Sequence, residues 1–253
     1  MHFCYNKNML ELNKIDHWRS NRLPFFLKAE TGSTNVDCRV YAEEYDGDFI
    51  FLAEKQNAGR GRRGRDFYSP DHGFYFSMCV NAVSGKEILY TLVCAVAAAE
   101  ALEGCGQKTE IKWVNDLYQN GKKAAGILCE AIRSNEDFTL KKVIIGIGIN
   151  VSEDPFPEEL KDKAVRLGGI DRNQLAGLLS DALLKWLGAP EEEVLREYRH
   201  RSFLIGREVL YEINGREKSG RVTDINEKGN LVVLTEEGED VLASGEISLK
   251  NWK

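Results

Sequence analysis

The sequence predicts an α+β domain followed by a small all-β domain. Up to about residue 190, strand-like apolar runs alternate with longer helical patterns, which is typical of a sheet covered by helices. Beyond about residue 201 the pattern changes to short strands separated by glycine turns, which indicates a small barrel of about 50 residues. A chain of 253 residues with 43% hydrophobic content is long enough for two unequal domains. We therefore divide it at 1–22, 23–190 and 191–253.

Residues 1–22 are predicted to form a short polar segment before the first domain. The elements of the larger domain come after this segment. Ser33 and Asp171 are residue types that cap helices, and Asn120-Gly121 is a strong hairpin turn. The predicted strands are 25–29, 48–53, 74–80, 110–113, 125–131 and 143–151. The predicted helices are 33–44, 88–102 and 171–187.

The second domain begins with a charged helix, predicted over residues 191–201. Short strands follow at 208–213, 217–224, 230–235 and 240–243. Glycine turns separate them at Asn214-Gly215, Lys228-Gly229 and Glu237-Gly238.

Composition narrows the classes of protein that fit. The net charge of −6 argues against general nucleic-acid binding. There is no apolar run long enough to span a membrane and no apolar leader at the start, so we expect a cytoplasmic protein. Six cysteines without a Cys-x-x-Cys pair favour reduced thiols, and the four histidines lack metal-ligand spacing.

The segment 56–65, QNAGRGRRGR, is the most informative stretch of the chain. Four arginines and three glycines fall within residues 59–65, directly after a predicted strand. Glycine lets a backbone bend and approach a ligand closely, and arginine suits phosphate and carboxylate groups. These residues favour a binding site for a small anion. A solvated basic loop or a nucleic-acid patch stays open as the alternative.

Three further segments carry polar or small residues near predicted strand ends. Residues 31–35, TGSTN, either cap a helix or bind a small polar ligand. Residues 112–116, KWVND, precede a hairpin whose Lys123 is flanked by small residues and can hold an anion. Residues 146–150, GIGIN, leave bare glycines on a strand, which permits close approach of a flat ligand or of another backbone.

Five motifs in this order resemble the biotin protein ligase family: GSTN (32–35), QNAGRGRRGR (56–65), KWVND (112–116), KAAGIL (123–128) and GIGIN (146–150). The resemblance covers residues 25–151, and residues 245–249 resemble the end of the family's C-terminal domain. It implies a mixed sheet with helices packed on one side, followed by an SH3-like barrel. It also implies an ATP-dependent ligase that forms biotinyl-5′-AMP and transfers biotin to a lysine of a biotin carboxyl carrier domain.

The resemblance assigns site residues by position. The residues matched to biotin or adenylate contacts are Ser33, Thr34, Asn35, Gln56, Gly59, Arg60, Gly61, Arg62, Lys123 and Gly126. Those assigned to the nucleotide pocket are Phe67, Lys112, Trp113, Asn115 and Asn150. Lys123, Arg62 and Asp116 take the catalytic roles: the first two neutralise carboxylate and phosphate, and Asp116 positions either the incoming amine or the metal. Mg²⁺ is expected with ATP, without a fixed protein site.

The chain departs from the family pattern at two positions within the site. Val114 replaces the usual proline, so we expect a looser turn there, and Phe67 replaces a common tryptophan. The short lead-in leads us to expect the class without an N-terminal DNA-binding domain, and hence no specific DNA binding. A homodimer stays open.

Two other functions are weighed against this one. A lipoate ligase shares the fold and the adenylate chemistry, but it normally shows a consecutive glycine run and a nearby histidine, which are missing here. A nucleic-acid-binding module is expected to be basic, with aromatic residues interleaved around the basic loop, whereas this chain is acidic.

Overall fold

The computed structural model describes residues 9–82, 87–213 and 215–243, without the side chains of residues 87 and 88. The helices are α1 (Leu12–Asp16), α2 (Thr34–Tyr41), α3 (Glu87–Gly104), α4 (Arg172–Gly188) and α5 (Glu191–His200). The strands of the larger domain are β1 (Phe25–Thr31), β2 (Phe49–Gln56), β3 (Phe74–Asn81), β4 (Glu110–Lys112), β5 (Asp116–Gln119), β6 (Lys122–Arg133) and β7 (Leu140–Ile149). The remaining strands are β8 (Glu208–Ile213), β9 (Arg216–Ile225), β10 (Leu231–Thr235) and β11 (Gly238–Leu242).

Strands β1 to β7 form one mixed sheet in the order β1-β2-β3-β7-β6-β5-β4. Strands β1 and β2 are parallel, and every other neighbouring pair is antiparallel. The predicted mixed sheet is therefore confirmed. Strand β5 lies between the predicted strand 110–113 and the predicted hairpin turn, in a stretch for which the sequence predicted no strand. The hairpin turn is confirmed, with φ of +53° at Asn120 and +74° at Gly121.

The main core lies between the sheet and helices α3, α4 and α5. Helix α3 is rich in alanine, and its middle is buried on all sides, so it packs closely against both the sheet and α4. Asp171 caps α4 by accepting hydrogen bonds from the backbone amides of Asn173 and Gln174. These helices share one side of the sheet, as predicted. The short α2 packs on the opposite face, where Cys38 contacts Phe49 and Phe51.

Strands β8 to β11 form a separate four-stranded antiparallel sheet in the order β11-β10-β9-β8. This arrangement confirms the small all-β second domain. The predicted turn residue Asn214 and the motif at 245–249 lie outside the described residues. Helix α5 links the two sheets: Arg199 Nε donates to the carbonyl of Ile225 in β9 at 2.6 Å. The backbone of Phe203 also donates to Ile111 O at 2.8 Å.

Five cysteines lie among the described residues, and all are free thiols. In the part of the chain that the structure describes, we find no helix both long enough and apolar enough to cross a membrane.

Candidate active site

A cavity of about 490 Å³ opens on the sheet face that α2 partly covers, bounded by the basic loop that follows β2. Strands β3, β6 and β7 form its floor, and the N-terminus of α2 forms one end. Its lining comprises Ser33, Thr34, Asn35, Gln56, Arg60, Gly61, Arg62, Phe67, Tyr75, Phe76, Asn115, Lys123, Gly126, Ile127, Leu128, Gly146, Ile147 and Gly148.

One end of the cavity is a buried polar corner. Gln56 Oε1 accepts hydrogen bonds from the backbone amide of Thr34 at 2.8 Å and from its hydroxyl at 3.1 Å. The hydroxyl of Ser77, fully buried on β3, lies 2.7 Å from Thr34 Oγ1 and 2.6 Å from Asn35 Oδ1. Asn35 Nδ2 donates to Glu130 at 2.7 Å. These fixed donors and acceptors suit a compact polar ring.

Ser33 occupies the N-cap position of α2, yet its side chain makes no capping hydrogen bond. Ser33, Thr34 and Asn35 are each only 4% exposed. The interpretation of this segment as a helix cap is therefore wrong, because the Ser33 side chain does not cap α2.

The other end of the cavity is cationic. Lys123 Nζ lies 2.7 Å from Asp116 Oδ1, and backbone hydrogen bonds to Lys163 and Val165 fix the start of β6 on either side of it. Lys112 is adjacent across β4 and β5, where it pairs with Asp116 in register. Burial lowers the pKa of Lys112 from 10.5 to about 8; Asp116 opposes this effect and the Lys123 charge adds to it.

The basic loop reaches over the cavity between Gly59 and Phe67. An isolated bridge joins Arg60 to Asp66 at its base, and Arg63 adopts a left-handed conformation with φ of +59° at its tip. Arg62 turns inward and donates to Asn115 Oδ1 at 3.0 Å. Burial lowers the pKa of the Arg62 guanidinium, and the neighbouring Arg63 charge lowers it further.

The stem of this loop is tightly packed. A Cβ at Gly59 would lie 2.4 Å from Ser69 Oγ and 2.6 Å from Phe67 O, so only glycine fits there. Phe67 N donates to Gly59 O at 3.0 Å, and the Tyr75 hydroxyl donates to Pro70 O at 2.7 Å. The stem is therefore fixed while the arginines extend from it.

Bare glycines line the floor, but side chains already approach them in this structure. A Cβ at Gly146 would lie 2.2 Å from Asn35 Oδ1, and one at Gly148 would lie 2.4 Å from the Phe67 ring. A Cβ at Gly126 would lie 3.1 Å from Lys123 Nζ. The absence of these side chains leaves space for the polar corner and for Phe67 on one sheet face. The cavity thus has a polar corner, a narrow apolar floor and a cationic end. Together these suit a molecule with a polar head, an alkyl chain and a carboxylate.

The chain resembles known proteins in both sequence and structure. Residues 29–150 match the Biotin/lipoate A/B protein ligase family, and residues 204–250 match the Biotin protein ligase C terminal domain. The biotin–[acetyl-CoA-carboxylase] ligase of Mycobacterium tuberculosis is 30% identical over 240 residues, which cover 87% of this chain and 86% of that protein. The chain belongs to the biotin protein ligase family.

Biotin protein ligases of other lengths and of known structure are also similar. The bifunctional ligase/repressor BirA of Bacillus spizizenii is 34% identical over 220 residues, and the match spans only 66% of that protein's length. A solved biotin protein ligase from Aquifex aeolicus, in complex with biotin and ATP, has a TM-score of 0.74 and 32% identity. This structural match covers 90% of this chain and 98% of the Aquifex aeolicus chain.

Most residues that the motifs predict for the site line the cavity, and five do not. Gly59 lies in the loop stem, and Asp116 lies behind Lys123 as its ion-pair partner. Lys112 points to Tyr118, whose hydroxyl lies 3.2 Å from its Nζ. Trp113 faces away from the cavity and donates to Gly229 O in the second domain at 2.9 Å. Asn150 lines a neighbouring cavity and donates to Lys123 O at 3.1 Å.

The expectation of a looser turn at Val114 is not what the structure shows. The carbonyl of Val114 accepts a hydrogen bond from the Tyr198 hydroxyl at 2.9 Å. The next residue, Asn115, is bonded to the backbone of Ile127 at 2.9 Å. The turn is therefore held on both sides, although it lacks the family's proline.

Two residues that shape the site, Tyr75 and Ser77, belong to none of the motifs. Both lie within the apolar strand β3, so composition alone marks them as core. The alternation of β3 is the signal that could have found them. Tyr75 and Ser77 share the face opposite to Phe74 and Phe76.

Proposed function

We propose that this chain is an ATP-dependent ligase that forms biotinyl-5′-AMP and transfers the biotinyl group to a lysine of a biotin carboxyl carrier domain. The observation that carries this proposal is the placement of Arg62 and Lys123 in one cavity with the polar corner at Thr34, Asn35 and Gln56. A relative of 32% identity has been solved with biotin and ATP, which supports the same ligands here.

The first step is attack by a biotin carboxylate oxygen on the α-phosphorus of ATP, with pyrophosphate as the leaving group. The polar corner holds the ureido ring, and the valeryl chain lies along the glycine floor. Lys123 and Arg62 bring the two anionic reactants together and stabilise the charge that builds up on the phosphate. No protein nucleophile is required.

The second step is attack by a neutral lysine amine on the carbonyl of the mixed anhydride, which yields the amide, AMP and one proton. Asp116, which pairs with Lys123 at 2.7 Å, is the candidate to orient either the incoming amine or a metal ion that accompanies the nucleotide. Closure of the basic loop keeps water from the anhydride until the acceptor arrives.

ATP enters this proposal as its Mg²⁺ complex. Triphosphate oxygens are ligands that Mg²⁺ prefers, so the nucleotide itself would supply ligands to the ion. A second cavity of about 250 Å³ adjoins the first, because Tyr75 lines both. Asn150, Tyr68 and Phe156 line this cavity too, and a lining that includes two aromatic rings suits a purine base.

Lipoate transfer is the weaker alternative. The family that matches residues 29–150 includes both biotin and lipoate ligases. The match of residues 204–250 to the C-terminal domain of biotin protein ligases favours biotin, as do relatives named for that substrate.

Transfer to a carrier domain tests the proposal. The full chain is incubated with MgATP, an acceptor carrier domain and either biotin or lipoate, and the acceptor mass is measured. We expect biotin on a single acceptor lysine, and no label once that lysine is replaced by arginine. Transfer of lipoate without biotin would overturn the assignment.

A further inference from the structure

The turn at residues 113–115 is held by side chains from outside the catalytic sheet. The indole N–H of Trp113 donates to Gly229 O in the second domain at 2.9 Å. The hydroxyl of Tyr198, on the linking helix α5, donates to Val114 O at 2.9 Å. Trp113 is 8% exposed and Tyr198 is fully buried, so water cannot easily replace either bond.

The same turn delivers two residues to the cavity. Asn115 Nδ2 donates to Ile127 O at 2.9 Å, which leaves its Oδ1 facing Arg62 NH1 at 3.0 Å. Asp116, the next residue, pairs with Lys123 at 2.7 Å. A shift of the turn would therefore move the partners of both cationic side chains that face the ligand.

The acceptor at Gly229 is itself fixed. The side chain of Asn226 accepts hydrogen bonds from the backbone amides of Lys228 and Asn230, each at 3.0 Å. Asn226 and Asn230 are also joined through their backbones at 2.9 Å. The second domain thus presents a rigid carbonyl to Trp113, and not a mobile loop.

The hydroxyl of Tyr198 is suited to act as a permanent donor. Burial raises its pKa well above the usual value for tyrosine; the nearby Asp116 charge raises it further, and Arg62 opposes this. This shift favours the protonated form of the hydroxyl, which is the form that donates to Val114 O.

We propose that Tyr198 and Trp113 are positioning residues that hold the 113–115 turn, so that Asn115 orients Arg62 and Asp116 orients Lys123. Neither side chain lines the cavity, and both act through the turn. This inference rests on the proposed function, since the retained adenylate is its readout. Docking of the second domain thereby determines how firmly the basic loop closes over the adenylate.

The test compares Tyr198→Phe and Trp113→Phe with a matched control, Tyr211→Phe. Tyr211 is also fully buried, but its hydroxyl contacts Asp240 within the second domain at 2.5 Å. Each protein is loaded with biotin and MgATP, and release of biotinyl-5′-AMP is timed. Hydrogen exchange is then followed at residues 59–68 in the loaded state.

We expect Tyr198→Phe and Trp113→Phe to release the adenylate several-fold faster, up to about tenfold, on the scale of one buried hydrogen bond. Both should also lose part of the ligand-induced protection of the loop, whereas Tyr211→Phe should match the parent. Parent-like release and protection in Tyr198→Phe would overturn the inference. Equal changes in all three variants would also overturn it, because they would indicate general destabilisation.

The experiment distinguishes a failure of the proposed function from a failure of this inference. A parent protein that makes no biotinyl-5′-AMP refutes the proposed function, and with it the positioning role. A parent that retains the adenylate, together with a Tyr198→Phe variant that retains it equally well, refutes the positioning role alone.

Discussion

Lys123 and Arg62 reach the same cavity from elements of different rigidity. Lys123 stands at the start of β6, where its own amide and carbonyl are hydrogen-bonded to the chain at Lys163 and Val165. Arg62 stands in a three-residue helical turn between glycines. A lysine on a rigid strand provides preorganised charge, whereas an arginine on a short turn moves with the loop. The two residues should therefore contribute to different steps.

We expect Lys123→Ala to slow adenylate formation about 100-fold or more, the scale of losing one preorganised charge donor. Arg62→Gly should still form the adenylate but release it, so that bystander lysines become labelled. Single-turnover formation and trapping of free adenylate measure the two effects. Lys122→Ala is the control, since Lys122 bonds to Lys161 O outside the cavity. Parent-like retention by Arg62→Gly would contradict the division of roles.

Lys112 makes the stability of the fold depend on pH. Its pKa is about 8 in the folded protein against 10.5 ordinarily, so between these values only the unfolded chain holds the proton. Stability should therefore rise with pH across this window, by up to about 1.4 kcal/mol per pH unit. The cost of the buried ammonium is fully present below pH 8.

We expect Lys112→Met to flatten this rise relative to the parent. Urea unfolding at several pH values between 7.5 and 10 measures the difference, with the exposed Lys108→Met as the control. If the free energy of unfolding rises equally with pH in the parent and in Lys112→Met, burial of Lys112 is not the cause of the rise.

At the scale of elements, the site depends on strands whose glycines leave room for side chains from other elements. The floor strand β7 carries Gly146 beneath the amide of Asn35 from α2. The amide in turn bonds to Ser77 on β3 and Glu130 on β6. Because Gly146 has no side chain, helix α2 and strands β3, β6 and β7 can meet at the polar corner.

We expect Gly146→Ala to displace Asn35 and to weaken biotin binding by at least about tenfold, since a Cβ there would lie 2.2 Å from Asn35 Oδ1. Calorimetric titration with biotin measures the loss. Gly188→Ala, at the end of α4, meets no atom within 4 Å and should bind biotin like the parent. Unchanged affinity in Gly146→Ala would mean that the polar corner does not hold the ligand.

The sequence predicted most elements and most cavity residues, and the failures have physical reasons. The glycine turns and helix caps are local features, so the hairpin at Asn120 and the start of α4 at Asp171 are confirmed. Strand β5 was missed because its four residues lie between two turns and show little periodicity. Ser77 was missed because its partners Thr34 and Asn35 are more than 40 residues distant in sequence, and no local pattern reveals them.

At the scale of the whole molecule, an acidic chain carries a concentrated basic loop. The chain carries a net charge of −6, whereas residues 60–65 contribute four arginines. Among the described residues, Arg60, Arg63 and Arg65 have no ion-pair partner within 4 Å. Such unpaired positive charge favours binding of an anion. The division of the chain at residues 22 and 190 and the absence of specific DNA binding remain predictions.

We expect any affinity for DNA to be weak, steeply dependent on salt, and competed by biotinyl-5′-AMP, because the loop that attracts phosphates is the loop that we propose closes over the adenylate. Gel-shift titration of this chain at two salt concentrations, with and without the adenylate, measures this. Sequence-selective binding at nanomolar protein and physiological salt would show a second function on this chain.

In the proposed reaction, one cavity joins biotin to the adenylyl group of ATP. Native mass spectrometry of the full chain after incubation with biotin and MgATP tests this reaction most directly. We expect a retained ligand with the mass of biotinyl-5′-AMP, equimolar pyrophosphate in solution, and no such species with lipoate. A lipoyl adenylate in its place, or biotin bound without pyrophosphate release, would contradict it.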